Sequence, residues 1–197
     1  MKKAIFILLI LVPALLRAQT WKSNPMAVSI FNNATLLPPA SLTAIFNQPI
    51  HGGLTLAYEF GWNQNGTHKW FQNTGVSYFY HQFVYQAILL NTQAGYRWTP
   101  NRFSLEGYLQ AGYMHAFLLT DRAVLQDDGT YVYKKGFGKP QFITGAGMGI
   151  GYNFGNDEKL RRVFINYDIR LQMPFVKSYV PLLPNGALAL GMQFTLR

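Results

Sequence analysis

Apolar and polar residues alternate along most of this chain from residue 26 onward, and the segment 161–174 shows the pattern most clearly. Its apolar series comprises Val163, Ile165, Tyr167, Ile169, Leu171 and Met173. Its second series, polar apart from one phenylalanine, comprises Arg162, Phe164, Asn166, Asp168, Arg170 and Gln172. Successive side chains of a β-strand point to opposite sides, and this spacing does not fit an amphipathic helix. The segment is therefore predicted to be a strand with one apolar and one polar face.

The same alternation recurs along the chain and predicts eight strands in all. They are the segments 26–37, 51–62, 70–83, 86–98, 102–115, 141–154, 161–174 and 187–196. Each is about 10 residues long or longer, which is enough to cross a bilayer at a tilt of roughly 45°, whereas strands of soluble proteins usually have about 5–6 residues. The predicted fold class is all-β: a closed, antiparallel, up-and-down transmembrane β-barrel of about eight strands.

The charged residues of the predicted strands indicate which face is inside. Six of them lie on the polar face: Glu59, Arg97, Glu106, Arg162, Asp168 and Arg170. A cation facing hydrocarbon at the middle of a bilayer costs about 2–4 kcal/mol, so these residues are expected to form an ion-pair network in the lumen. Alternating glycines between Gly145 and Gly151 share that face and leave room for large neighbours such as Tyr108. A soluble barrel with its apolar face inside is the structural alternative.

The N-terminal residues have the features of a cleaved signal peptide. Lys2 and Lys3 precede an apolar stretch at 4–16, and Ala18 offers a small residue at the cleavage position. The apolar stretch is too short to span a bilayer as a helix, although a membrane anchor is the alternative. We therefore assign residues 1–18 to a signal peptide and residues 19–197 to an outer-membrane barrel domain.

Composition agrees with a protein whose surface meets lipid. Charged residues make up only 13% of the chain and aromatic residues 16%, as expected for a barrel with aromatic girdles. Cysteine is absent, which excludes disulfides and thiolate metal sites. The net charge of +9 comes from scattered bases, so we expect attraction to anionic lipid and lipopolysaccharide phosphates and no binding to nucleic acid.

The connections between strands follow the loop asymmetry of bacterial barrels, whose periplasmic turns are short and whose external loops are longer. Counting back from the C-terminus assigns the external loops to 38–50, 84–86, 116–140 and 174–186, and the periplasmic turns to 63–69, 99–101 and 155–161. The loop 116–140 is long enough to form its own hairpin, with a turn at Asp127-Asp128-Gly129.

In signal peptide, strand number, alternation and loop asymmetry, the chain resembles small outer-membrane barrels of the OmpA-transmembrane or OmpX type. The resemblance covers the whole mature chain and is architectural. It implies a location in the outer membrane of a Gram-negative bacterium, insertion by the barrel-insertion machinery, and contact with outer-membrane lipid and lipopolysaccharide. It implies no particular activity and no cofactor.

Two histidines are predicted to lie at the external rim of the barrel and to point into its mouth, His51 and His81. Together with Ser178 in the last external loop, they could form the general base and nucleophile of an enzyme that modifies lipid A, or the histidines could bind a metal. Histidine is also common at membrane interfaces for its amphipathic shape alone, and His115 is expected to face lipid there. We therefore predict no metal and treat catalysis as the less favoured alternative.

Three classes of function follow from these features. The favoured one is a non-enzymatic role in envelope structure, in surface interaction or as a subunit of a larger outer-membrane complex. The external loop after the seventh strand motivates it, because five of its residues are expected to be available for contact: Phe175, Lys177, Tyr179, Leu182 and Leu183. The alternatives are the lipid A-modifying enzyme and a narrow channel for small solutes, although eight strands leave an interior that side chains can fill.

Overall fold

The computed structural model describes most of the predicted barrel domain. The described residues are 25–36, 43–65, 67–81, 85–119, 122–126, 129–134, 136–154, 161–175 and 181–195. The predicted signal peptide 1–18 lies outside this part of the chain. Among the described residues, no helix has the length and apolar character needed to cross a membrane.

Eight long strands form a closed antiparallel barrel, which confirms the predicted fold class. In chain order they are β1 Pro25–Thr35, β2 Gly52–Asn65, β3 His68–His81, β4 Tyr85–Trp98, β5 Phe103–Leu118, β8 Lys139–Phe154, β9 Arg161–Met173 and β10 Leu183–Thr195. Around the barrel they follow the order β1-β10-β9-β8-β5-β4-β3-β2. The first strand β1 pairs along its whole length with the last strand β10, from Pro25↔Thr195 to Thr35↔Asn185, so the barrel is closed.

Two further strands form a separate hairpin within the connection between β5 and β8, at the barrel end that is predicted to be external. We call this end external and the opposite end periplasmic. They are β6 Arg122–Leu125 and β7 Tyr131–Lys134, paired antiparallel. Gly129 has a φ of 83° and donates its N–H to the Gln126 carbonyl at 3.0 Å, a conformation that glycine adopts without steric cost. The predicted hairpin is therefore present; Asp127 and Asp128 of its turn lie outside the described residues.

Three connections differ from the prediction. The strands β2 and β3 extend further than expected, so that residues 66–67 alone connect them instead of 63–69. The strand β10 begins at Leu183 instead of residue 187, which shortens the last external loop. The external loop before β2 contains a short helix, α1 Ala44–Asn47, that the alternation did not predict.

The faces of the barrel have the predicted orientation. On β9, Ile165 is 45% exposed and Ile169 44%, whereas Asp168 is 2% exposed and Arg170 6%. The apolar series therefore covers the outside and the charged series lies within the closed lumen. A soluble barrel with an apolar core would have the reverse distribution, so this structural alternative is excluded.

Aromatic side chains mark two levels on the outer wall. On β5, Phe103 stands at the periplasmic end of the outward series and Tyr113 towards the external end, with Leu105 and Leu109 exposed between them. Ten residues of a strand tilted by roughly 40° rise about 25 Å, the height of the apolar band of outer-membrane barrels. The outer surface thus matches the hydrocarbon thickness of such a membrane.

Candidate functional site

The periplasmic half of the lumen contains an ion-pair network with Arg97 of β4 at its centre. Its guanidinium donates through Nη2 and Nη1 to both carboxylate oxygens of Glu59, at 2.7 and 3.1 Å, and through Nε to Glu106, at 2.8 Å. It also lies over the ring of Phe71, 4.6 Å from the centroid. Because all three charged side chains are buried, their pairing is what allows them to remain ionised in the interior.

Two further cations extend this network. Lys69 of β3 contacts Glu59 at 2.6 Å, and Arg162 of β9 contacts Glu106 at 2.9 Å. Arg162 also donates through Nε to the Ser104 hydroxyl at 2.9 Å. Lys69 is not among the six predicted lumen charges, because the alternation assigns it to the periplasmic turn 63–69, whereas β3 begins at His68 and directs its side chain into the lumen.

A second, smaller group of charges lies further along the lumen. Asp168 accepts a hydrogen bond from the Tyr108 hydroxyl at 2.6 Å and from Arg170 at 2.6 Å. The structure thus places all six predicted lumen charges inside the barrel, divided between two groups. With Lys69 included, these groups contain four cations and three carboxylates.

Glycines on the inner face of β8 make space for these side chains. A Cβ atom at Gly147 would lie 2.2 Å from an Asp168 carboxylate oxygen and 2.4 Å from the Tyr108 ring. One at Gly149 would lie 2.0 Å from the side-chain oxygen of Asn166. The alternating glycines therefore allow large polar side chains from the neighbouring strands to lie directly over the β8 backbone.

The external half of the lumen combines an apolar cluster with buried amides. The amides form a chain in which Asn185 donates to Gln172 at 3.1 Å and Gln172 donates to Gln141 at 2.9 Å. The apolar cluster comprises Phe31, Phe79, Tyr85, Ala87, Leu89, Met114, Ala116, Ile143, Ala187 and Ala189. Phe79 makes edge-to-face contacts with Phe31 at 6.0 Å and with Tyr85 at 5.8 Å between ring centroids, a geometry that aromatic pairs prefer. The lumen thus has an ion-pair network towards its periplasmic end and an aromatic cluster with buried amides towards its external end.

His51 and His81 meet above this aromatic cluster. Their rings stack with centroids 3.8 Å apart and an interplanar angle of 20°, and His81 also stacks on Tyr85 at 5.2 Å. The Nδ1 atom of His51, a buried residue, lies 3.1 Å from the Asn33 carbonyl oxygen. Within the described parts of the chain, no group of three or more His, Cys, Asp or Glu side chains is placed to hold a metal ion.

Little space is left between the side chains of the lumen. A cavity inside the barrel has a volume of about 50 Å³ and is lined by polar groups of both charge clusters, including Arg97, Glu106 and Asp168. A buried water needs roughly 10–15 Å³ of such space, so the cavity has room for about three water molecules. It is too small for an organic solute.

No family model matches the chain, and no curated protein matches it. The fold is that of the small eight-stranded outer-membrane barrels. Solved structures similar to it include Neisserial surface protein A, with 11% identity over 89% of this chain and 98% of that chain and a TM-score of 0.48. The outer membrane enzyme PagL has 10% identity over 87% and 99% of the two chains and a TM-score of 0.48.

A third similar structure is Ail, the attachment invasion locus protein of Yersinia pestis, in complex with the heparin analogue sucrose octasulfate. It has 16% identity over 89% of this chain and 100% of that chain, with a TM-score of 0.40. At these identities the likeness concerns the barrel fold alone.

The predicted interaction residues of the last external loop have different environments. Leu182 is exposed, whereas Phe175 is half-buried and donates its N–H to the Pro181 carbonyl at 3.2 Å. The expectation that Leu183 is exposed is wrong: this residue is only 6% exposed, because β10 already begins there. Lys177, Ser178 and Tyr179 lie outside the described residues.

His115 lies on the outer face of β5, as its place in the alternation predicts. Its Nδ1 lies 2.8 Å from the Tyr113 hydroxyl, and its Nε2 lies 2.7 Å from the Phe137 carbonyl oxygen. The second contact joins the barrel wall to the segment that follows the external hairpin. This histidine therefore has a structural position outside the lumen and apart from the His51 and His81 pair.

Proposed function

We propose that this protein is a filled, non-conducting outer-membrane barrel with a non-enzymatic role, exerted through its external surface. The observation that carries the proposal is the filling of the lumen by an ion-pair network in one half and an aromatic cluster in the other. A route for solutes would have to break buried ion pairs, and losing one partner of such a pair costs about 3–5 kcal/mol. The exposed external elements then provide the surface for contact.

Conductance in planar bilayers tests the first part of this proposal. The purified full chain should produce no stepwise conductance above the background of the bilayer. As a positive comparison, a porin whose lumen is open should give regular conductance steps in the same bilayers. Regular steps from the unaltered chain would refute a filled, non-conducting lumen.

The external hairpin supports the second part. Tyr131 is strongly exposed, Val132 is partly exposed, and Phe137, just after the hairpin, is 98% exposed. Exposed aromatic residues are typical of contact surfaces between proteins. We infer that this hairpin and the adjoining segment contact another component of the envelope, as a surface partner or within a larger outer-membrane complex.

Site-specific photo-crosslinking in cells tests this contact. A photoreactive phenylalanine analogue at Phe137 should give a discrete protein adduct, and the same analogue at Leu109 on the lipid-facing wall should give none. The Leu109 variant has the same chemistry and the same barrel, so it controls for random capture. Equal labelling from both positions, or lipid adducts alone, would count against a protein partner at the hairpin.

We further propose that residues 1–18 direct export and are removed, and that the barrel-insertion machinery then places the chain in the outer membrane of a Gram-negative cell. The apolar outer wall supports the membrane location, because an exposed surface of this kind is unstable in water. N-terminal sequencing of the protein from outer-membrane fractions should begin at Gln19. A mature protein that retains Lys2 and Lys3 would contradict the cleavage.

An enzyme acting on lipid A at the external rim is the second candidate, because His51 and His81 do come together there. The contact of His51 with a backbone carbonyl also fits a purely structural pair. Mass spectrometry of lipid A separates the two: the spectra from cells with the gene, without it, and with His51→Gln should be identical. A mass difference that depends on His51 would establish the enzyme and displace the non-enzymatic proposal.

A further inference from the structure

The external segment Thr43–Ile50, which contains α1, lies against the outer wall of the barrel. Ala44 and Ile45 form a buried cluster with Ala34 and Leu36 of the β1 end, and Leu188 and Tyr167 pack against it. These residues belong to the outward series of their strands, since Phe31 and Asn33 on β1 face the lumen. We call this segment the strap.

Hydrogen bonds attach the strap to β1 and satisfy its polar groups. The Gln48 side chain accepts from the Thr35 N–H at 3.0 Å and donates to the Thr35 carbonyl at 2.8 Å. Asn32 donates to the Ile45 carbonyl at 3.1 Å and accepts from the His51 N–H at 2.8 Å. Because these amide side chains are paired, they can lie at the edge of a lipid environment without the cost of unsatisfied polar groups.

Two large apolar side chains of the strap point away from the barrel. Phe46 is 75% exposed and Ile50 is 78% exposed. The segment from Thr43 to Ile50 contains no charged residue, and its exposed polar residues, Thr43 and Asn47, are uncharged groups that the headgroup boundary can hydrate. The exposed pair continues the apolar surface of the barrel wall instead of interrupting it.

The strap covers the external ends of β1 and β10, whose outward positions carry no aromatic residue. Three strands on the other side of the barrel, β3, β5 and β8, carry outward aromatic side chains towards their external ends: Tyr80, Tyr113 and Phe142. The structure describes both β1 and β10 completely. Towards their external ends, the outward positions include the small residues Ala34 and Gly186. A Cβ atom at Gly186 would come within 3.0 Å of Leu36, so this wall is also closely packed.

We propose that the strap is an interfacial anchor, which places Phe46 and Ile50 among the acyl chains of the outer leaflet just below the headgroups. In this position Phe46 supplies an aromatic residue at the membrane boundary over β1 and β10, whose external ends have none facing outward. Aromatic side chains favour this boundary. The inference rests on the proposal that the barrel spans a membrane.

Site-directed spin labelling tests the anchor, and the absence of cysteine from the chain makes each label unique. The full chain, reconstituted in phosphatidylcholine vesicles, carries a nitroxide at Phe46→Cys, at Leu109→Cys or at Phe137→Cys. We expect the label at position 46 to collide at least several-fold more with oxygen, relative to a water-soluble nickel chelate, than the label at position 137. Retention of the heat-modifiable mobility of a folded barrel verifies each variant.

The Leu109 label distinguishes a failure of the anchor proposal from a failure of the membrane-barrel proposal. If it resides in hydrocarbon while the label at position 46 is as accessible to nickel as that at position 137, the anchor is refuted and the membrane barrel stands. If the Leu109 label is itself in water, the membrane proposal fails. Adding Gln48→Ala, which removes both hydrogen bonds to Thr35, should raise the nickel accessibility and mobility of the label at position 46; unchanged spectra would show that the strap does not position it.

Discussion

Replacing Arg97 with glutamine should destabilise the barrel more than any change to a surface arginine. Arg97 makes three charge-assisted hydrogen bonds to Glu59 and Glu106 and lies over Phe71. The variant leaves Glu59 with Lys69 alone and Glu106 with Arg162 alone. The lumen then keeps both carboxylates with fewer donors to satisfy them.

The expected loss can be bounded from these contacts. Hydrogen bonds to charged groups contribute about 1.5–3 kcal/mol each, but three that share one guanidinium are not additive. Removing one partner of a buried ion pair costs about 3–5 kcal/mol, and the remaining cations compensate in part. We therefore expect a loss of about 4 kcal/mol, which at a slope of about 2 kcal/mol per molar urea lowers the unfolding midpoint by about 2 M.

Urea unfolding of the chain in phosphatidylcholine vesicles, followed by tryptophan fluorescence, measures this change. Arg102→Gln is the matched control, because Arg102 lies in the exposed turn before β5 and should leave the midpoint unchanged. Arg97→Lys keeps the charge but loses the planar fork, so its midpoint should fall between those of Arg97→Gln and the unaltered chain. Equal midpoints for Arg97→Gln and Arg102→Gln would show that the network does not stabilise the fold.

Three further outcomes can be checked with the same unfolding assay. Gly147→Ala should cost about 1–3 kcal/mol through overpacking against Tyr108 and Asp168, whereas Gly107→Ala, whose new Cβ meets nothing within 4 Å, should be neutral; similar losses would contradict the packing role of the β8 glycines. Asp168→Asn should cost about 3 kcal/mol because it leaves Arg170 without its carboxylate, and an unchanged midpoint would mean that this pair is not buried. Replacing 122–134 with a short Gly-Ser linker should leave the midpoint unchanged, since the hairpin pairs only with itself; a large drop would show that it supports the barrel.

The barrel could be predicted from the sequence because lipid imposes a strict rule on each strand. Where one face meets hydrocarbon, every second residue must be apolar, and the segment 161–174 follows this rule along its length. The rule ends where the strands leave the membrane. Residues 63–69 are mostly polar on both faces and therefore resemble a turn, although β2 and β3 continue through most of them.

The strap and the filled external half of the lumen could not be predicted in the same way. A helix of four residues has no periodicity to detect, and its position depends on distant partners such as Ala34 and Leu188. The stack of His51 on His81 likewise depends on the relative heights of β2 and β3. The alternation placed both histidines at the barrel mouth, but only the strand register brings their rings together.

The strand register also explains why the lumen contains ions at all. Alternation has a period of two, so a strand that slips by two residues keeps its apolar face towards lipid and loses little hydrophobic contact. In the observed register Arg97 lies directly across from Glu106 on β5 and from Lys69 on β3. A slip of two residues would separate buried charges from their partners, at about 3–5 kcal/mol for each pair broken. The ion-pair network therefore discriminates between registers that the apolar pattern leaves nearly equal, and a lumen filled only with apolar side chains would lack this discrimination.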